Sequence, residues 1–572
     1  MSVFPHPHYR RVLLGIASTL AVSAAGLAAA LPASASPAPP ATQSPPQSSV
    51  VQAPALPGAQ SISSRDRVYT ADQTSNTVSV IDPSTNRVLG TITLGSQRLD
   101  ATLGPQYLQA VDVHGLGFSP DGQYLDVISV TTNTVTVIRT ADNSIVSQTY
   151  VGRSSHEGFF TPDGTQVWVA DRALSQVDIV DALHGGVIGH IDTAAGPSKV
   201  LFSPDGKTAY VNHIRSATID IINVATRQVM AHISGLADTF SSDMGLSPDG
   251  AQLWVAHKMA GKVSVIDTAT RTVTSVLDTG PATNHPNFVT TAQGAYVYLT
   301  VGGLNETKIY QRHGTSTPTL VGAVKSSGTE PHGIWPSPDN TRIYVVNEHS
   351  DTVDVIDTAT RTVIDTLHVG QEGQALVYVA NAVPSGPGTQ GLTRQGLDQQ
   401  VSNADAQVQG PGKVLLTVRA VNGLDMVEFD ATQLQPTTRY TAYGQHGNEQ
   451  IPLLTFTTDP KGDKPQALAF LQFFGAYDPT TLTVHPDTTS GATGSANGGI
   501  GSTVTPVGGA ATGAGSTSRG RDTALLIGGA LAAAGAVAAA RARRARHPQQ
   551  PSRNTRHDRC ATHAGVASPN CR

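Results

Sequence analysis

Seven histidines recur at matching positions of a sequence repeat that is punctuated by Pro-Asp-Gly turns. One set lies at the start of the first predicted strand of each copy, and the other lies at or just after the end of the second. Neutral imidazole is the commonest protein ligand for zinc, copper or nickel, and a ring of repeats brings such side chains together. A copper or zinc site is therefore predicted from the following side chains: His114, His156, His285 and His332 in the first set, and His213, His257 and His349 in the second.

Two other interpretations of these positions stay open. Pro-His-Gly is also simply how such repeats begin, because a histidine there can hydrogen-bond a backbone carbonyl group. Alternatively, a metal ion held by carboxylates would suit hydrolysis of a lactone or a similar ester. Charged residues near the same rim are candidates for contacting a ligand: Asp72, Asp171, Arg172, Lys258 and Glu348.

The repeats themselves predict four-stranded β-sheets. Each copy, such as residues 328–370, contains four short runs rich in Val, Ile, Tyr and Thr that are separated by turn residues. Pro at the second turn position suits a type I turn, and Gly or Asn follows at the exit. The turns start 42 to 46 residues apart, which matches the period of a four-stranded propeller blade. Their first residues are Ser119, Thr161, Ser203, Ser247, Thr291 and Ser337.

A seventh sheet is split between the two ends of the repeat region. Residues 67–95 supply three strands without a first one, and residues 374–381 supply the missing strand. Closing a ring in this way leaves no open sheet edge between its first and last members. The sequence therefore predicts an all-β fold, a seven-bladed β-propeller with a split first blade over residues 64–385.

Short motifs in the repeats resemble a known family. Tyr344-Val-Val-Asn, Tyr210-Val-Asn-His and Trp254-Val-Ala-His, each followed by a Val-x-Val-Ile-Asp-type strand, resemble the YVTN family of bacterial surface β-propellers. The resemblance implies a fold similar to that of surface-layer proteins, β-propeller lactonases and nitrous-oxide reductase, whose propeller also gathers histidines and so implies copper. Ser198, Ser242 and Val301 interrupt the histidine columns, so full reductase activity is not expected.

The remaining segments predict an exported protein held at a membrane. Arg10 and Arg11 precede an apolar run and an Ala-x-Ala site, which indicates a signal peptide for the general or the twin-arginine route. Thr523–Ala540 carries no charge and four arginines follow it, which predicts a transmembrane helix rather than the end of an Ala-rich stalk. The predicted order is a signal peptide (1–35), a Pro/Ala/Ser-rich linker (36–63), the propeller (64–385), a linker (386–412), a small β-sandwich (413–486), a Gly/Ser/Thr-rich stalk (487–522), the transmembrane helix (523–540) and a basic cytoplasmic tail (541–572).

Composition narrows the function without fixing it. The formal net charge of -5 gives no reason to expect a nucleic-acid partner. Both cysteines, Cys560 and Cys571, follow the predicted anchor, so the extracytoplasmic part must be stabilised by packing rather than by disulfides. One hypothesis is a noncatalytic surface module that binds an envelope protein, a glycan or a small ligand. The other is an exported enzyme, either a metal-dependent lactonase-like hydrolase or a copper-site oxidoreductase, that uses the histidine-lined mouth.

Overall fold

A computed structural model describes residues 59–95, 112–314, 316–398, 401–421, 424–446, 449–471 and 481–487. Within these ranges the regular structure is mainly β-strand, and a 3-10 turn is present at Gly302–Leu304. The described residues include no helix long and apolar enough to cross a membrane. The predicted signal peptide, the predicted transmembrane helix, the cytoplasmic tail and both cysteines lie outside the described residues.

Seven four-stranded antiparallel sheets occupy residues 67–379. The strands of sheets 1 to 4 are β1 (Arg67–Asp72), β2 (Thr77–Asp82) and β3 (Arg87–Thr93) in sheet 1; β4 (Val113–Phe118), β5 (Tyr124–Ser129), β6 (Thr134–Arg139) and β7 (Ser144–Tyr150) in sheet 2; β8 (Ser155–Phe160), β9 (Gln166–Asp171), β10 (Gln176–Asp181) and β11 (Val187–Asp192) in sheet 3; β12 (Pro197–Phe202), β13 (Thr208–His213), β14 (Thr218–Asn223) and β15 (Gln228–Ser234) in sheet 4. The strands of the other sheets are β16 (Asp243–Leu246), β17 (Gln252–His257), β18 (Lys262–Asp267) and β19 (Thr272–Asp278) in sheet 5; β20 (Thr283–Thr291), β21 (Gly294–Val301), β22 (Glu306–His313) and β23 (Ser316–Lys325) in sheet 6; β24 (Pro331–Pro336), β25 (Arg342–Asn347), β26 (Thr352–Asp357) and β27 (Thr362–His368) in sheet 7; and β28 (Gly373–Val379), which completes sheet 1.

The sheets are joined into a ring. β28 pairs antiparallel with β1, with Arg67 opposite Val379 and Thr70 opposite Leu376. We call the first strand of each sheet, with β28 in sheet 1, its inner strand. Each inner strand contacts the next one, and β28 contacts both β24 and β4. The β-propeller fold predicted from the repeats is confirmed.

The tight turns are fixed by their own side chains. In the turn of sheet 2, Ser119 Oγ donates to Asp121 Oδ1 (2.6 Å) and accepts a hydrogen bond from Tyr124 N (2.9 Å). Gly122 adopts a φ of +70° there, a conformation that glycine takes without a steric penalty. The same Ser and Asp contacts recur in sheets 4, 5 and 7, so the tetrapeptide that marks the repeat also sets its geometry.

The core lies between adjacent sheets of the ring. Inner strands such as β12 are buried along their whole length, whereas the outermost strands, such as β19, alternate between half-buried and exposed residues. Large aromatic side chains fill the space between sheets: the Trp168 ring contacts Phe202, and the Trp254 ring contacts Phe288, in both cases edge to face. Such pairs add to the stabilisation that apolar burial already provides.

Two further sheets follow the propeller, and we call them the two-sheet module. Sheet 8 contains β29 (Val401–Asp405), β31 (Lys413–Val421), β32 (Leu424–Thr432) and β35 (Lys464–Leu471); sheet 9 contains β30 (Gln407–Val408), β33 (Arg439–His446), β34 (Glu449–Thr457) and β36 (Thr483–Pro486). They share a buried core that includes Leu416, Phe429, Tyr440 and Val484. β29 and β30 lie inside the predicted linker 386–412. The sequence does not predict these two strands, because they are polar and contain no apolar run.

The connection between the propeller and the module runs back along sheets 1 and 2. Arg67 Nη2 donates to Pro387 O (2.6 Å), and Asn143 Nδ2 donates to Gly388 O (3.0 Å). Thr91 N donates to Thr393 O (2.9 Å), which forms an isolated bridge beside β3. The connection is therefore attached to the ring, and both parts belong to one compact unit.

Candidate metal centre at the propeller axis

The inner strands bring one polar residue from each sheet to the propeller axis. His332 Nδ1 donates to Gln374 O (2.9 Å), and Ser198 Oγ donates to Ser242 O (2.8 Å). The ring of residues is the alignment column that the sequence places at the start of the first strands: His114, His156, Ser198, Ser242, His285, His332 and Gln374.

β-Bulges position the histidines of this ring. The pairing of β4 with β5 shifts register between Val113 and Gly115, so His114 has no partner across the sheet. The inner strands that carry His156, His285 and His332 shift register at the same place. A bulge turns a side chain away from the regular alternation, which is why His285 reaches the axis although it is one residue out of register. Gly115 lets the neighbouring strands converge, since a Cβ there would lie 2.4 Å from His156 O.

A narrow cavity at the axis is lined by the inner strand of every sheet. One representative from each sheet is Leu116, Glu157, Lys199, Asp243, His285, Ile334 and Ala375. The cavity has a volume of about 20 Å³, which is enough for one water molecule or one ion. Its dimensions therefore suit a small occupant.

His114 and His156, from the adjacent sheets 2 and 3, face each other at the axis, with their Nε2 atoms 2.7 Å apart. His156 Nδ1 lies 3.0 Å from Ser198 O, and a carbonyl oxygen can only accept, so this nitrogen carries the proton. His114 Nδ1 lies 3.0 Å from Gln73 Oε1, and Gln73 Nε2 in turn donates to Glu372 Oε1 (3.0 Å), which fixes the orientation of the amide. With both protons on Nδ1, two Nε2 lone pairs point at each other.

Burial keeps both rings neutral. It lowers the pKa of His114 and of His156 well below the usual range, and the nearby Arg172 guanidinium lowers both further. Two facing lone pairs repel unless a proton or a cation lies between them. Metal-bound histidine commonly donates its other ring N–H to a carbonyl or carboxylate partner, as Nδ1 of His156 does here. The pair therefore has the donor arrangement of a metal site.

Glu157 offers an oxygen near this pair, but it already has a cationic partner. The donor atoms of His114, His156 and Glu157 lie within 4.8 Å of one another. Lys199 Nζ, however, lies 3.0 Å from Glu157 Oε2 and 2.7 Å from Asp243 Oδ2. Burial acts to lower the pKa of Lys199, but the two carboxylates outweigh it and raise that pKa. The charge of Glu157 is thus balanced without a metal.

His285 and His332 complete the set of axial histidines. Their ring centroids are 4.6 Å apart. His285 Nδ1 lies 3.4 Å from Asp243 Oδ2, and His332 Nε2 lies 3.7 Å from Glu348 Oε2. Burial lowers the pKa of both rings, so they too are neutral donors beside the facing pair.

The histidines at the ends of the second strands are held within their own sheets. His213 Nδ1 donates to Thr218 O (3.0 Å), and its Nε2 lies 3.4 Å from Asp220 Oδ2. His257 Nδ1 faces Phe240 O (3.3 Å) and its Nε2 faces Ser264 Oγ (2.9 Å). The structure therefore groups His213 and His257 with the third strands of sheets 4 and 5, and not with His114 and His156.

Asp72 and Asp171 occupy the same position in sheets 1 and 3, with different surroundings. Asp72 accepts hydrogen bonds from Thr70, Thr77 and Ser79 (2.6 to 3.0 Å). Neither carboxylate oxygen of Asp171 has a hydrogen-bond partner among the described residues. Burial, then the charge of Asp178, raises the pKa of Asp171 to about 9. Asp171 is therefore a buried acid that folding forces to take up a proton.

Asp171→Asn is expected to stabilise the protein by about 1–3 kcal/mol at pH 7. Asparagine already occupies this position in sheet 7, where Asn347 Nδ2 donates to Thr352 Oγ1 (3.1 Å). Because the pKa of Asp171 is raised on folding, wild-type stability is lost as pH rises from the unfolded value toward about 9. The advantage of the variant in denaturant unfolding should therefore widen between pH 5 and pH 8.

The matched control is Asp72→Asn, which removes an acceptor of three hydrogen bonds and should not stabilise. A difference in unfolding free energy between Asp171→Asn and the wild type that stays constant with pH would contradict the assignment of Asp171 as an unpaired buried acid. Equal stabilisation of both variants would contradict it as well.

The remaining rim residues are buried beneath the two-sheet module. Asn403 Nδ2 donates to His349 O (2.7 Å), and Thr417 Oγ1 accepts from His349 Nδ1 (2.5 Å). Gln466 Nε2 donates to Glu348 Oε1 (3.2 Å). Sheet 8 thus covers the part of the mouth that contains Glu348 and His349, where the sequence suggests an open rim.

Arg172 and Lys258 are also buried. Arg172 Nη2 donates to Ser198 Oγ (2.7 Å), and burial lowers the pKa of Arg172 to about 9. Lys258 Nζ lies 3.1 Å from Glu330 Oε1. Both cations therefore contact the protein itself rather than solvent.

Sequence reasoning missed the polar residues that surround these sites. Glu157 and Lys199 follow directly after the aligned column, and Arg419 and Glu428 come from sheet 8. A signal was present in the module: Thr417 and Arg419 on β31, and Glu428 on β32, alternate with core residues yet are fully buried. A polar strand face of this kind indicates docking onto another polar surface.

Comparisons with known proteins identify similar solved structures but no family for the chain. No family model matches the chain, and no curated protein is significantly similar to it. Among solved structures, it is similar to Kuenenia stuttgartiensis hydrazine synthase (22% identity, 50% of this chain and 90% of that chain covered, TM-score 0.42). It is also similar to the periplasmic gluconolactonase PpgL of Pseudomonas aeruginosa (16% identity, 55% and 99% covered, TM-score 0.44) and to a functionally unknown protein from Desulfotomaculum acetoxidans DSM 771 (14% identity, 55% and 98% covered, TM-score 0.46). At these identities the likeness concerns the fold alone.

Proposed function

We propose that the chain is an exported surface module of the YVTN type, whose seven-bladed propeller binds a copper or zinc ion at its axis between His114 and His156. The seven sheets serve as the seven blades, the signal peptide directs export, and the C-terminal helix anchors the protein in the membrane. Held away from the membrane on its stalk, the protein binds an envelope protein or a glycan.

The single observation that carries the metal proposal is the facing pair of Nε2 atoms, 2.7 Å apart, with both Nδ1 protons directed at oxygen atoms. Two imidazoles on one tetrahedral zinc, with bonds of about 2.0–2.1 Å, hold their nitrogens about 3.3 Å apart. The two rings need to separate only by a fraction of an ångström to admit an ion. His285 and His332 are then the neighbouring neutral donors.

The surroundings favour binding over turnover. The cavity at the axis, which is lined by His285 but not by His114 or His156, has room for about one water molecule or ion, whereas a lactone and its attacking water need considerably more space. Sheet 8 also covers part of the mouth through His349 and Glu348. We therefore favour a noncatalytic binding protein whose propeller is stabilised by a metal ion over a lactonase-like hydrolase or a copper oxidoreductase.

The protein purified from an exporting host without chelators is expected to contain about one equivalent of copper or zinc. The double variant His114→Gln/His156→Gln should contain none, because glutamine lacks the imidazole nitrogen that binds the ion. When copper(II) is added to metal-free protein, the electron paramagnetic resonance spectrum should show coupling to imidazole nitrogen, and the double variant should lose that coupling.

The matched control is His184→Gln/His232→Gln, which changes two exposed histidines that pair with Asp181 and Asp220 and should leave the metal content unchanged. Circular dichroism and melting curves establish that each variant is folded. A folded wild-type protein that neither retains nor takes up copper or zinc would overturn the proposal.

A further inference from the structure

Buried carboxylates form a second cluster where the two-sheet module meets the propeller. Glu348 and Glu372 come from the propeller, and Glu428 comes from β32 of the module. Each offers one oxygen, and the three oxygens lie within 4.8 Å of one another. All three side chains are removed from solvent, so their mutual repulsion is not screened by water.

The cationic side chain in direct contact with this cluster cannot balance it. Arg419 Nη1 lies 3.1 Å from Glu428 Oε2, and Arg419 Nη2 donates to Glu348 O (2.6 Å). Arg419 Nε also pairs with a fourth carboxylate, Asp351 Oδ1 (3.3 Å). The charge of Lys258 also acts on Glu348, but Lys258 Nζ already lies 3.1 Å from Glu330 Oε1. Five acids therefore share two cationic side chains, which leaves an excess of negative charge in a buried interface.

Two of the carboxylates have an oxygen with no hydrogen bond. Glu348 Oε1 accepts from Gln374 Nε2 (2.8 Å), but Glu348 Oε2 has no hydrogen-bond donor among the described residues. Glu428 Oε2 faces Arg419, whereas Glu428 Oε1 has no such partner there either. A buried oxygen without a donor costs free energy unless something else satisfies it.

We propose that Glu348, Glu372 and Glu428 bind a Ca²⁺ ion that holds the two-sheet module on the propeller. Ca²⁺ takes oxygen ligands at 2.3–2.6 Å, so oxygens up to about 4.8 Å apart can share one ion. The donors are carboxylates, which suit a hard cation and differ from the imidazoles of the axial pair. The ligands differ from those of the proposed copper or zinc ion, although Glu372 also accepts the hydrogen bond that orients Gln73 beside His114.

The ion explains why an acidic surface of the propeller meets an acidic surface of the module. Without it, Glu428 would approach Glu348 and Glu372 against their repulsion, which Arg419 and Lys258 offset only in part. With it, one dication bridges side chains from both parts. Removal of Ca²⁺ is therefore expected to loosen the module and to uncover the part of the mouth beneath sheet 8.

The test uses full-length protein that has been freed of metal with a chelator and then titrated with Ca²⁺. Calorimetric titration should show one bound Ca²⁺, and excess Ca²⁺ should raise the melting temperature of the module by about 5 °C or more. Glu428→Gln and Glu372→Gln should each lose both effects. In the absence of Ca²⁺ these variants should melt no lower than the wild type, because glutamine removes a repelling charge.

Asp425→Asn is the matched control, since Asp425 lies on the same strand as Glu428 but outside the cluster, and it should respond to Ca²⁺ like the wild type. Copper and zinc contents of the wild type and of Glu428→Gln report the axial site separately, since Glu428 comes from the module whereas Glu372 also orients Gln73 beside His114. Absence of Ca²⁺ binding, an equal response to Mg²⁺, or stabilisation at pH 5 without any response to Ca²⁺ would each overturn the inference.

Discussion

Lys199→Met is expected to lower the free energy of unfolding by about 3–5 kcal/mol. Lys199 Nζ lies 2.7 Å from Asp243 Oδ2 and 3.0 Å from Glu157 Oε2, and its side chain is 9% exposed. Methionine matches the length and apolar character of the lysine stem but leaves two carboxylates facing each other at the axis. Such a loss is far larger than the loss of an ion pair in water, because neither acid can be rehydrated without opening the ring.

Urea unfolding of Lys199→Met measures this loss directly. Lys207→Met is the matched control, since Lys207 is 82% exposed and its Nζ lies 3.6 Å from Asp205 Oδ2, so it should cost less than about 1 kcal/mol. The triple variant Lys199→Met/Glu157→Gln/Asp243→Asn should recover much of the stability, because it removes the acids together with the base. Similar losses in the two single lysine variants would refute this account of the axis.

Arg419→Met is expected to separate the unfolding of the module from that of the propeller. Arg419 is fully buried and contacts Glu428, Asp351 and the main-chain oxygen of Glu348. Its removal leaves these acids unpaired and should weaken the association of the module with the propeller by about 3–5 kcal/mol. Differential scanning calorimetry should then show the module melting first, as a transition of its own.

Arg394→Met serves as the control for Arg419→Met. Arg394 Nη2 lies 2.7 Å from Asp398 Oδ1, but both side chains are exposed, so the unfolding profile should remain that of the wild type. A single unchanged transition in Arg419→Met would mean that Arg419 does not hold the module in place.

The sequence predicts the propeller because each repeat specifies its own local structure. The Ser-Pro-Asp-Gly turn contains the hydroxyl, the carboxylate and the positive-φ residue that its geometry needs, as Ser119, Asp121 and Gly122 show. The missing first strand of sheet 1 was detectable for the same reason, since the run in β28 has the composition of an inner strand.

The candidate site was predictable only in part. Alignment on the turns identifies His114, His156 and His332 as one column, because the repeat fixes their distance from the turn. It places His213 and His257 in a second column but cannot show that they stay away from the axial pair, since only the pairing of the strands shows that they face Thr218 and Ser264. The bulge between Thr283 and Pro286 that brings His285 to the axis depends on its partner strand, which composition does not reveal.

Contacts between the module and the propeller had no local signal in the repeat. Arg419 meets Glu348 and Asp351 across about seventy residues of sequence, and no periodicity links these positions. The buried polar face of sheet 8 shows that the polar face of a strand need not be exposed to solvent. In this chain a polar alternation was the signature of an interface.

The pairing of β1 with β28 also dictates the order in which the chain can fold as it is synthesised. Val68 pairs with Tyr378, so three strands near the amino terminus wait for a fourth that is synthesised about three hundred residues later. Loop closure over such a distance is slow. On the general secretion route the emerging amino-terminal strands would be held unpaired outside the membrane, with an open edge, until β28 follows. The ring that protects the completed protein from edge pairing thus makes the interval before β28 is available the period of greatest risk.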